Sequence, residues 1–315
     1  MKKFLGSLIV AVACILLAGC NITSESSSKT VTQLKALAPG GAPALAQAYI
    51  ENSGVISDKY SYSVDRVGDT TLLQAGFQKG EYDIIFAPIN LGVKFYNNNQ
   101  KYKMLASVTW GNLYIATCNE NFTLEDLNNN ELVAFGEGSI NQVILNNVLQ
   151  SNSITPSTIT YLAATSDTKN YLVANPQSYC LVAEPVLSAA TVALKGQNKT
   201  VSTISIQDLW AEKHENESYV QAAVFLKSEL CENNELVNDV YNALETSVNY
   251  CNSDIEGVSE IASRLEYGLP GGNVLKLAIP NSNIKLVKAK DSSSVVRNVM
   301  SLMGVTEINE EFFAF

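Results

Sequence analysis

Beyond residue 30, short runs of β-branched, aliphatic or aromatic residues alternate with longer stretches in which apolar side chains recur every three or four positions. Strand side chains project to opposite faces in turn, whereas a helix gathers one face about every 3.6 residues. The alternation therefore predicts repeated strand and helix units with largely parallel sheets, an α/β architecture. Residues 33–38 read as a strand, Pro39-Gly40-Gly41-Ala42-Pro43 as a turn, and Ala42, Leu45, Ala46, Tyr49 and Ile50 as one face of a helix. Strands at 60–67, 82–87 and 103–109 follow, separated by helices at 70–78 and 90–96.

A second series begins with a strand at 113–118, after which Thr123-Leu-Glu-Asp has the form of a capping box opening a helix. Strands are expected at 131–135, 158–162 and 179–183. Between and after them come a helix through Ile140, Val143, Ile144, Val148 and Leu149, one over 167–174 and one from Pro185. After a polar stretch at 195–203, residues 220–226 read as a buried strand, and the rest as mainly helical up to Phe312-Phe313-Ala314-Phe315. The expected organisation is two lobes, residues 31–112 with 221–315 and residues 113–220. Each is a mostly parallel sheet flanked by helices.

The first thirty residues follow a different pattern. Lys2 and Lys3 precede an almost wholly apolar stretch from 4 to 17, and Ala18 and Gly19 lead to Cys20. Roughly 18 apolar residues are needed to cross a bilayer, so residues 1–19 read as a removable export signal. Leu17-Ala18-Gly19-Cys20 resembles the bacterial lipobox, which implies cleavage before Cys20 and acylation of its thiol; an ordinary secretory signal with a chance cysteine is the alternative. Two or more acyl chains anchor stably. Polar, Ser-rich residues 20–30 then form a flexible tether, and the expected location is the outer face of the cell membrane.

About 285 residues from Val31 onward, within a chain that is 46% hydrophobic, suffice for two lobes with real cores. A formal charge of −10 argues against nucleic acid and against an electrostatic grip on anionic lipid, both of which need clustered Lys and Arg. Cys118, Cys180, Cys231 and Cys251 remain after the signal and the anchor, with no metal-ligand spacing. Leu236, Val240, Ala243, Leu244 and Val248 place one helical stripe between Cys231 and Cys251. Twenty helical residues extend roughly 30 Å, whereas a disulfide needs Cα atoms within about 7 Å, so free thiols are expected.

Several segments together resemble the solute-binding lipoproteins of ABC importers, in the NMT1/THI5-like and taurine/sulfonate-binding group of the type II periplasmic-binding fold. They are Leu37-Ala-Pro-Gly-Gly-Ala-Pro, Tyr82-Asp-Ile-Ile-Phe-Ala-Pro-Ile-Asn, Thr109-Trp-Gly-Asn-Leu-Tyr, Phe135-Gly-Glu-Gly-Ser, Tyr179-Cys-Leu-Val-Ala-Glu-Pro and Tyr219-Val-Gln-Ala-Ala-Val-Phe. The resemblance implies two lobes with a ligand cleft between them, a small-molecule ligand, a permease and an ATPase as partners, a monomer, no cofactor and no catalysis.

In open α/β sheets ligands collect beyond the carboxyl ends of strands, where helix N-termini offer unpaired N–H groups. Gly40, Gly41 and Ala42 of one lobe and Gly138 and Ser139 of the other stand at such ends, as turn residues or as ligand contacts. Pro88 and Asn90 end a strand and start a helix, so Asn90 is a cap or a contact. Trp110 reads as hinge packing or a stacking platform, and Glu184 as a helix cap or a partner for a cationic ligand group.

The absences bear on chemistry. The single histidine, His214, lies among Glu212, Lys213, Glu215 and Glu217 and reads as part of a solvated segment; no Ser-His-Asp set or Walker-type loop is present, so no enzyme is expected. Arg66, Arg264 and Arg297 are the only arginines, and none lies in the strand-end segments. Without the planar fork that clamps a carboxylate, a neutral, aromatic or weakly cationic ligand such as a pyrimidine or vitamin precursor is favoured, with a sulfonate held by backbone donors as a further option. The alternative function is a ligand-sensing or scaffold lipoprotein uncoupled from transport.

Overall fold

The apolar runs become the strands of two mixed sheets. β1 (Thr32–Pro39), β2 (Tyr60–Val67), β3 (Ile84–Pro88) and β4 (Tyr102–Trp110) open the first sheet. β5 (Leu113–Thr117), β6 (Glu131–Phe135), β7 (Thr158–Leu162), β8 (Tyr179–Ala183) and β9 (Ser202–Ser205) form the second, and β10 (Val220–Lys227) and β11 (Ile284–Lys288) return to the first. The computed structural model describes residues 30–215, 217–265 and 271–315. The expected signal at 1–19, Cys20 and the tether to residue 29 lie outside the described residues. Among the described residues no helix is long and apolar enough to cross a membrane.

The strand orders are β11-β4-β10-β3-β1-β2 and β7-β6-β8-β5-β9. β1 pairs parallel with β2 and β3, and β6 pairs parallel with β7 and β8. β10 lies antiparallel between β3 and β4, and β5 lies antiparallel between β8 and β9. β11 is antiparallel to β4, so the reversed strands are β5 and β10, which follow the two crossings between sheets, and the edge strand β11.

Helices α1 (Ala42–Ala46), α2 (Ala48–Ser53), α3 (Thr70–Lys79) and α4 (Ile89–Asn99) belong to the first series, and α5 (Ile140–Ser151), α6 (Thr165–Ala174), α7 (Val186–Lys195) and α8 (Ile206–Lys213) to the second. After β10 come α9 (Asn234–Ser253), α10 (Ile255–Arg264), α11 (Gly272–Ala278) and α12 (Ser293–Ser301). β10 shows how the pattern makes layers: Ala222, Val224 and Leu226 face the core shared with α1, α2, α9 and α10, while Ala223 and Phe225 face the one under α3 and α4. Burying a side chain such as Phe225 contributes roughly 1.5–3 kcal/mol, and its ring leaves no room for a Cβ at position 92, which is glycine. The aromatic carboxyl end closes the same core: Phe312 packs on Tyr96 and Phe225, and Ala314 N donates to Met104 O at 2.9 Å.

Some local expectations change. Residues 42–53 form two helices around Gln47, a buried amide whose Nε2 donates to Pro43 O at 3.1 Å and whose Oε1 accepts from Tyr62. The capping box forms, with Thr123 N donating to Asp126 Oδ2 at 2.8 Å, but it opens a single 3-10 turn, Leu124–Leu127. The polar stretch ends in β9 and leads into α8, where Ser205 accepts from Asp208 N at 3.1 Å. The carboxyl region carries the strand β11 among its helices.

His214 is a correction: it is half-buried, stacked on Trp210 with ring centroids 3.7 Å apart, although its charged neighbours Glu212, Lys213, Glu215 and Glu217 are exposed. Desolvation lowers its pKa. The reason is that Trp210 sits one helical turn earlier on α8, so the imidazole finishes the apolar face of that helix. Cys231, just before α9, and Cys251, near its carboxyl end, are free thiols, pushed up to about 11 and about 12 by burial.

Candidate functional site

The registers bring the predicted strand ends to the edges between the two sheets. Leu37 lies opposite Ile85 in the parallel pair β1 and β3, which sets Gly40 level with Pro88, and Pro88 is opposite Ala222 at the start of β10. Trp110 is opposite Val220, so both crossings leave from the same edge. In the second sheet Leu113 is opposite Ala183, and β6 ends at Phe135, with Gly136 following it ahead of α5.

Asn90 and Gly138, one from each sheet's side, line a common cavity of about 490 Å³. Gln74 and Lys94 add polar groups to it, and Met300 and Met303 add thioethers. Among the described residues Lys94 is the one charged side chain on its wall. Asn90 sits at the start of α4, and its Oδ1 is buried with no hydrogen-bond partner among the described residues. Gly138 has φ 69, a backbone conformation that favours glycine, and a Cβ there would meet nothing within 4 Å.

Trp110 lies elsewhere. It lines a separate cavity of about 340 Å³ together with Ser218, Asn283 and Lys285, and its Nε1 donates to Lys285 O at 2.7 Å. With its indole N–H satisfied and only 8% of its surface exposed, the structure gives it the packing role. Gly111 follows it at the first crossing, where a Cβ would stand 2.7 Å from the Tyr219 ring of the second crossing, so the two connections touch.

Gly40, Gly41, Ala42, Pro88, Ser139 and Glu184 line neither cavity. Gly41, with φ 78, precedes the short helix α1, and its carbonyl accepts from Ala44 N at 3.0 Å; Ala42 is buried. Pro88 is the last residue of β3 and precedes α4. Ser139 caps α5: its Oγ accepts from Asn141 N at 3.2 Å and donates to Gly136 O at 2.6 Å. Glu184 likewise takes the capping role, its carboxyl accepting from Ser188 N at 3.1 Å and Ser188 Oγ at 2.9 Å at the start of α7. It is 5% exposed, and burial pushes its pKa up to about 7.

Arg66 stands outside the strand-end segments but reaches one of them: the parallel register pairs it with Ala38, and its Nη1 donates to Pro39 O at 3.3 Å, beside Gly40. Its Nη2 is paired with Glu51, so the guanidinium is held by the chain.

A buried amide network runs between the crossings and was not singled out in the sequence. Asn112 Nδ2 donates to Glu184 O at 3.3 Å, Asn112 N donates to Gln221 Oε1 at 2.9 Å, and Gln221 Nε2 donates to Asn141 Oδ1 at 3.1 Å. The signal for it was Gln221 itself, a polar residue inside the apolar run 220–226. A buried amide is retained where every group finds a partner.

No family model and no curated protein matches the chain. Solved structures do. An ABC transporter protein from Parabacteroides distasonis superposes with TM-score 0.75 at 17% identity, over 90% of this chain and 98% of its own. The ligand-binding component of an ABC-type import system from Staphylococcus aureus, with zinc bound, gives 0.70 at 13%, over 90% and 96%. The periplasmic aliphatic sulphonate-binding protein SsuA of Escherichia coli gives 0.67 at 13%, over 91% and 92%. The fold is that of the periplasmic binding proteins. The two-lobed α/β expectation therefore holds, with the modification that each sheet is mixed.

Proposed function

We propose that this protein is the extracytoplasmic solute-binding component of an ABC importer, held at the membrane through Cys20, and that it captures a small organic molecule between its lobes. One observation carries the reading: the cavity of about 490 Å³ that joins Asn90 of the first lobe to Gly138 of the second, in a fold shared with ABC import binding proteins. A ligand touching both walls favours the closed arrangement, and closure is a state that a permease can distinguish. Pyrimidines and vitamin precursors suit a wall of amides and thioethers, and its single cation makes sulfonates the further class to test. The permease and its ATPase are the partners, and the tether keeps the monomeric receptor close to them at high effective concentration. Catalysis has no place in this reading.

Thermal-shift screening against those three compound classes tests it. A ligand present at 100 times its Kd stabilises by about 2.7 kcal/mol, a readily measured rise in Tm. A screen without a hit, on protein purified without an endogenous ligand, would count against capture.

A further inference from the structure

We propose that Gln142 sets the ligand class of the inter-lobe cavity: it occupies the backbone donor that an anion would need and so reserves the site for uncharged ligands. This rests on the reading of that cavity as the ligand site. A helix N-terminus ordinarily attracts anions, because its first N–H groups lack intrahelical acceptors and the peptide dipoles add there. The N-terminal turn of α5 reaches the cavity through Gly138, a lining residue that brings its backbone amide with it. That amide is already engaged: Gly138 N donates to Gln142 Oε1 at 2.7 Å.

Two further amides of the turn are engaged as well. Ser139 N donates to Gly136 O at 3.1 Å, and Asn141 N donates to Ser139 Oγ at 3.2 Å. Asn141 Oδ1 takes its hydrogen bond from Gln221. The Gln142 side chain is half-buried and has the buried Tyr161 hydroxyl against it, which limits the ways it can swing aside. A sulfonate or carboxylate would have to displace the Gln142 carbonyl and would find no arginine on the cavity wall, only the exposed Lys94.

The opposite wall makes the complementary demand. Asn90 Oδ1 is an acceptor without a donor, and an unpaired buried acceptor is answered by an N–H or O–H group. A sulfonate head offers none. The matching ligand class is an uncharged organic molecule bearing such a donor, with an apolar part against Met300 and Met303.

Methanesulfonate and methanesulfonamide have nearly the same shape, and only the second is uncharged and carries N–H donors. They should be titrated by amide NMR into the wild-type chain, Gln142→Ala and Gln142→Met, the last keeping side-chain length without an acceptor. The expected result is that methanesulfonate moves the Gly138 amide in both variants and binds them about tenfold more tightly than the wild type, the scale of one charge-assisted hydrogen bond. Methanesulfonamide should bind the three proteins alike. Equal response of Gly138 to methanesulfonate in the wild type and variants overturns the proposal, and so does no response in any of them. Failure of the underlying site reading looks different: a ligand found by screening would then bind Asn90→Leu as well as it binds the wild type.

Discussion

The wall beside Trp110 and the wall beside Asn90 are made of similar material, apolar side chains with amides among them, yet they treat their polar groups differently. At Trp110 both nitrogens are spent on the carboxyl-terminal segment: the backbone N–H donates to Asn283 O at 3.0 Å and Nε1 donates to Lys285 O at 2.7 Å. Asn283 returns a hydrogen bond to Gly111 O, and Tyr114 Oη of the second lobe donates to Asn281 O at 3.2 Å. α11, just before this segment, packs on α7. At Asn90 an acceptor is left unpaired, and Gly138 is the second lobe's contribution to the wall. The difference teaches which side holds the lobes together. Under the proposed function, relative motion would pivot about the Trp110 side and a ligand would act at the Asn90 side.

Removing the Trp110 side chain should break this contrast most severely. Trp110→Ala is expected to destabilise the ligand-free chain by about 3–5 kcal/mol, read as a shift in the urea midpoint. A cost below about 1 kcal/mol, with a large loss of ligand affinity, would instead make Trp110 a ligand platform and erase the distinction between the walls.

Glu184 sharpens the same contrast through pH. Its carboxyl is raised from 4.5 to about 7, first by desolvation, against the lowering effect of the Ser188 hydrogen bonds. Folding therefore takes up a proton between those values, and stability falls as pH rises from about 4.5 to about 7. At about 1.4 kcal/mol per pH unit the loss is on the order of 3 kcal/mol. Glu184→Gln, which keeps an acceptor for Ser188 N, should flatten the slope of urea midpoint against pH over that window. An unchanged slope would locate the titration in another group.

The smallest effect on stability is expected at the other wall. Asn90→Leu removes a buried acceptor that has no partner, so the ligand-free chain should be unchanged or more stable by about 1 kcal/mol. Its Tm rise with a screened ligand should shrink. A clear loss of stability without ligand would show that Asn90 is a structural cap.

Periodicity carried much of the fold. β10 and the α9 stripe were readable because a fully buried strand and an amphipathic helix each leave a long apolar signature, and Thr123 with Asp126 announced its turn by spacing. β9, with two serines, and β11, with two lysines, escaped because polar residues interrupt short strands that are only partly buried. Among the candidate ligand positions, strand ends directed attention to Asn90 and Gly138, which line one cavity, and equally to Ser139 and Glu184, which cap helices. Local sequence does not separate those cases, because a cap and a ligand contact use the same residue types at the same place.

Which side chains meet across the lobes depends on register and crossing geometry, neither of which is a local property. Gln142 is an ordinary helix residue until α5 is fixed and its carbonyl reaches Gly138 N. Met300 and Met303 belong to the cavity because α12 returns against the first lobe more than 200 residues after Asn90. The order of strands and helices follows from side-chain periodicity that each segment carries alone. The partnered nitrogens of Trp110 and the unpaired acceptor of Asn90 arise when distant polar groups compete for partners, and that competition is resolved in the packed chain.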